Sequence, residues 1–126
     1  MIPVEHLTAR AGATFGPHGW PLLDADGSPL RSAAGIRVQA QVRPSSDSTE
    51  VLHRWDSQGE DANVILGTMV LPGDTEPTAV ALLHATAEET ATWTWRRCPY
   101  DVLVTALGRT DRVKRGDFIV ERGTTR

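Results

Sequence analysis

The chain has 126 residues, 40% of them hydrophobic and 23% charged, which fits one ordinary globular domain burying roughly two thirds of its unfolded surface without metal or disulfide support. Its single cysteine, Cys98, excludes an internal disulfide, and so a bridge-held secreted scaffold, and fits a reduced compartment during synthesis. A net charge of −3 argues against general nucleic-acid binding; neither a signal peptide at Met1–His6 nor an apolar run of membrane-spanning length is visible, so no membrane partner is expected.

Residues 1–19 mix Gly, Ala, Thr and Pro with few large apolar groups. Gly12, Gly16, Pro17 and Gly19 interrupt any helix, so the segment reads as an extended arm or loop with at most one short edge strand. The sandwich domain is expected over 20–121, with a polar tail at 122–126. Trp20-Pro21-Leu22-Leu23 is a short apolar run that stops at Asp24-Ala25-Asp26-Gly27-Ser28-Pro29, where Asp, Gly and Pro together make a turn.

Residues 36–42 carry the clearest pattern. Ile36, Val38, Ala40 and Val42 alternate with Arg37, Gln39 and Gln41, the period of two of a strand with one buried face. An exposed loop follows at 43–48. A second strand is expected at 51–55, with Val51, His53 and Trp55 on one face. Turn residues at 58–63 precede 64–71, whose two faces are both apolar and so read as covered on both sides. Pro72-Gly73-Asp74 is a turn, and 78–83 another strand. Thr86 with Glu89 three positions on forms a capping box for one helical turn. Trp93 and Trp95 share a face, as do Cys98, Tyr100, Val102 and Val104 in the next strand. A hairpin loop at 107–111 leads into a last strand over 112–120, with a bulge expected at Gly116. About seven or eight short strands at this spacing predict an all-β, immunoglobulin-like antiparallel β-sandwich.

Motifs for chemistry are sparse. Asp24-Ala25-Asp26-Gly27 opens like a calcium loop, but Gly35 stands where the bidentate glutamate would be, so a turn is favoured. His6, His18, His53 and His84 show no zinc spacing, although His18, His53 and His84 could meet in space. Cys98 beside Pro99 reads as core filler rather than a nucleophile. Arg115-Gly116-Asp117 matches an adhesion tripeptide but reads as a strand bulge between exposed charges. Glycine-rich phosphate loops, nucleophile elbows and paired carboxylates are missing, so a non-enzymatic protein without cofactor or metal is expected. Trp20, Trp93 and Trp95, with Tyr100 nearby, could instead stack on a sugar ring. Charge divides along the chain: residues 1–95 carry five basic against twelve acidic residues, and 96–126 eight against four. The two regions could pair between copies.

The order of several short pieces carries a resemblance. They are Arg10-Ala11-Gly12-Ala13-Thr14-Phe15, Asp24-Ala25-Asp26-Gly27-Ser28-Pro29-Leu30, Val38-Gln39-Ala40-Gln41-Val42-Arg43 and Thr86-Ala87-Glu88-Glu89-Thr90-Ala91. Trp93-Thr94-Trp95, Tyr100-Asp101-Val102-Leu103-Val104-Thr105 and Arg115-Gly116-Asp117-Phe118 follow. In this order the chain resembles small β-sandwich virion proteins of tailed bacteriophages, similar to the N-terminal domain of baseplate upper proteins. It departs from them at Ser32-Ala33-Ala34-Gly35, where they have Leu-Thr-Gly, and over 44–78. The resemblance implies a structural role in the virion, made in the bacterial cytoplasm: a capsid accessory or decoration protein, or a minor tail or baseplate protein. Its partners would be the major capsid protein or tail proteins, and further copies of itself. Phe15, His18, Trp20, Trp93, Trp95, Arg112, Lys114 and Arg115 are the candidate assembly contacts. A host-surface carbohydrate module using exposed tryptophans is the alternative.

Overall fold

The computed structural model describes residues 4–24, 26–59, 62–106 and 108–122. Eight strands and one short helix follow in chain order: β1 (Leu7–Arg10), β2 (Phe15–Pro21), β3 (Arg37–Val42), β4 (His53–Asp56), β5 (Val64–Met69), β6 (Thr78–Ala85), α1 (Ala87–Ala91), β7 (Arg97–Ala106) and β8 (Arg109–Glu121). They form a five-stranded sheet in the order β1-β8-β7-β3-β4 and a three-stranded sheet in the order β2-β6-β5. This is the immunoglobulin-like β-sandwich expected from the strand spacing, with β2, β6 and β5 facing β8, β7 and β3, and with β1 added beside β8 and β4 beside β3. One pairing differs from the antiparallel expectation: β1 runs parallel to β8.

The alternation in β3 points Val38, Ala40 and Val42 inward, each at most 1% exposed. Tyr100, Val102 and Val104 of β7 join them, with Phe118 and Val120 of β8. From the other sheet β6 contributes Ala79, Ala81, Leu83 and Ala85. Those alanines leave the room that large rings occupy. Phe15, Trp55, Trp93 and Phe118 meet edge-on or tilted, with Trp55 and Phe118 stacked at 5.6 Å between centroids. Trp55 ties the two sheets together: its Nε1 donates to the carbonyl of His84 at 2.9 Å.

The N-terminal residues are built in rather than loose. Despite its glycines and prolines, the stretch before Trp20 supplies two strands, one at the edge of each sheet. Cross-strand pairing with β8 and β6 overrides their poor local propensity. Thr90 of α1 fixes the corner between them. Its buried Oγ1 accepts the Gly12 N–H at 3.0 Å and lies 2.8 Å from the carbonyl of Ala13. The predicted capping box of α1 is present, with Thr86 and Glu89 exchanging backbone–side-chain bonds.

Residues 93–95 lie outside the strands, with both tryptophans buried. Two expectations are corrected. β5 is not covered on both faces: Ile65 is 48% and Met69 47% exposed. The β7–β8 register shifts between Val102 and Leu103, so Val113 is the extra residue and the bulge is not at Gly116.

Burial also sets a pH dependence. The ring of His53 packs 4.4 Å from Trp55 and 4.9 Å from Trp93, and its Nε2 has no partner among the described residues. Burial holds its pKa below the ordinary 6.5, although the charge of Glu89 pulls the other way. A depressed folded pKa means stability is full above about 6.5 and falls as pH drops below it, because the unfolded chain takes the proton first. Urea midpoints should therefore decrease from pH 7.5 to 5.5, and His53→Gln should flatten that slope.

Candidate assembly interface

The candidate contacts divide into three groups. Phe15, Trp93 and Trp95 are core residues, 6%, 3% and 7% exposed, and are not assembly contacts. Same-face spacing was legible in the sequence, but not that this face points inward. Their burial also removes Trp93 and Trp95 as a sugar platform.

His18, Trp20 and Lys114 come together in space around Glu5, a residue that no motif or periodicity marks out. Its carboxylate accepts from the Trp20 indole at 2.8 Å and the Lys114 ammonium at 2.6 Å, and lies 3.0 Å from His18 Nε2. Lys114 also sits 4.4 Å from the centroid of the Trp20 ring, a cation–π geometry. Partial burial pushes the Glu5 carboxyl up, but Lys114 and His18 outweigh it and hold it below its ordinary value. The backbone of Glu5 is held as well. Its N–H donates to Arg115 at 2.9 Å and its carbonyl accepts the Tyr100 hydroxyl at 2.5 Å. Burial, then the negative charge of Glu5, push the Tyr100 phenol well above its ordinary range. This clasp joins the N-terminal segment, β2 and β8 across the open side of the sandwich. Glu5→Ala should cost about 1–2 kcal/mol, since the lost bonds are charge-assisted but half solvated; thermal denaturation measures it.

Arg112 and Arg115 are exposed on the outer face of the five-stranded sheet. Arg112 pairs with Asp101 at 3.1 Å, whereas Arg115 has no carboxylate partner among the described residues. They line a shallow concavity of about 430 Å³ with Arg43, Asp101 and Asp117. Arg115-Gly116-Asp117 lies inside β8, and Asp117 is held by Arg97 at 2.8 Å, so the tripeptide is not displayed on a loop.

The metal and thiol candidates are accounted for by local contacts. Asp24 Oδ1 accepts the backbone N–H groups of Asp26 and Ser28, a turn closing on itself. Among the described residues no group of three His, Cys, Asp or Glu could hold a metal ion. Cys98 packs half-buried against the core, and burial, then Asp117, raise its thiol pKa.

The four sheet edges are unequal. β1 is only four residues long. β2 carries Pro17 and Pro21, which lack an N–H, and its register is broken between Phe15 and His18. β4 is closed by one side chain: Asn63 accepts the Asp56 N–H at 2.8 Å and donates to the Arg54 carbonyl at 3.0 Å, while its own N–H bonds Asp56 at 2.9 Å. β5 has none of these protections. Val64–Met69 contains no charge and no proline, and among the described residues nothing bonds its outer edge. Natural sheets blunt such edges because an unpaired strand invites another chain.

No protein-family model matches the sequence, and no curated protein matches it. Among solved structures, the inferred receptor-binding domain of the human endogenous retrovirus envelope EnvP(b)1 is similar, with a TM-score of 0.42 and 11% identity over 98% of this chain and 92% of that one.

Proposed function

We propose that this domain is a non-enzymatic structural component of a tailed-bacteriophage virion, acting by protein–protein assembly as a capsid accessory or minor tail protein. The observation that carries the assembly part is β5, an uncharged edge strand left open while the other three edges are short, proline-bearing or capped. The ordered motifs from Arg10 to Phe118 support the virion part. The exposed arginines of β8 offer a second, polar surface for a neighbouring acidic partner. The carbohydrate alternative retains only Trp20, whose indole is engaged by Glu5 and Lys114.

The test is reconstitution. Purified chain added to phage particles assembled without it should sediment with them at a fixed stoichiometry. A chain that stays in the supernatant at all concentrations defeats the virion reading.

A further inference from the structure

Resting on the assembly reading above, we infer that the occupant of the β5 edge is the β5 edge of a second copy, paired antiparallel about a two-fold axis at Gly67. The argument is self-complementarity. Strand alternation puts Ile65, Gly67 and Met69 on the outer face, while Val64 belongs to the core and Leu66 packs against it. In an antiparallel pair, residues directly opposite point to the same face. Centring the pair on Gly67 sets Ile65 against Met69 of the copy, Gly67 against Gly67 and Leu66 against Thr68. The two half-exposed apolar side chains of the strand then cover each other twice. Shifting the centre to Leu66 sets Ile65 against Gly67 and leaves Met69 uncovered.

Nothing in β5 opposes this pairing. With no charge between Val64 and Met69, the two-fold brings no like charges together. Gly67 leaves the centre free, because a Cβ there would meet nothing within 4 Å. The two three-stranded sheets would join into one continuous six-stranded sheet, with both five-stranded sheets packed on the same face of it. Their exposed arginines would then be displayed side by side on one face of the dimer.

The test uses the purified full chain. Sedimentation velocity should show a concentration-dependent dimer, and Gly67→Glu should weaken it by roughly tenfold or more by setting two carboxylates on the axis, with its melting temperature unchanged. In a Cys98→Ala background, Gly67→Cys should crosslink to itself with a short thiol reagent. Ile65→Cys should crosslink to Met69→Cys and not to itself. A chain that remains monomeric at millimolar concentration, or an Ile65→Cys that crosslinks only to itself, overturns the pairing. A Gly67→Glu chain that dimerises as tightly as the parent would refute self-pairing while sparing the virion reading. A two-fold dimer that never binds particles would do the reverse.

Discussion

Trp55→Ala should destabilise the domain by about 3–5 kcal/mol, the range for deleting a large buried aromatic. Trp55 has no exposed surface and contacts Phe15, Phe118, Trp93 and His53. Removing it leaves a cavity between two sheets whose facing residues on β6 are mostly alanine, too small to collapse into the space. It also strips the His84 carbonyl of its indole donor. The loss should appear as a lower urea midpoint with an unchanged slope. The same change at Trp20, half-buried at the rim, should cost less than half as much.

Gly116→Val should be the next most damaging substitution, at about 1–3 kcal/mol from overpacking alone. A Cβ on Gly116 would stand 2.0 Å from the Glu5 carbonyl oxygen and 2.7 Å from its carbon. Those atoms are backbone, so they cannot rotate away as a side-chain tip would. The N-terminal segment must lift, which breaks the Tyr100–Glu5 bond and drags the Glu5 carboxylate from Trp20 and Lys114. Trp20 emission should shift to longer wavelength, and amide exchange should rise in β1 while β3 and β7 stay protected. Unchanged exchange in β1 would show that the segment is held by other means.

The sequence was most readable where burial and polarity alternate cleanly. In β3 every second residue is apolar, so its strand, face and inward direction were all legible. The capping box at Thr86 was legible for a different reason, since both partners lie within one turn. β5 shows where this fails. All its residues are uncharged, so inner Val64 and Leu66 cannot be told from outer Ile65 and Met69. β1 is too short to display a period, and β2 hides its pairing behind glycine, proline and a register break. The Glu5 clasp was out of reach: its partners lie 13, 15 and 109 residues away. Gly116 reads as a bulge in the sequence and is a close approach in the fold, because a glycine in a strand signals either and only the packing decides.

The side chain of Asn63 has a consequence for the size of what this domain can build. A sandwich with two open edges has a valence of two and can propagate into a fibre. By occupying Arg54 and Asp56 on β4, one amide lowers that valence to one. Growth through strand edges then stops at a pair, and any larger order has to come from surfaces other than the sheets' margins. Asn63 sits beside the first residue of β5, so the residue that leads into the open edge also closes the other.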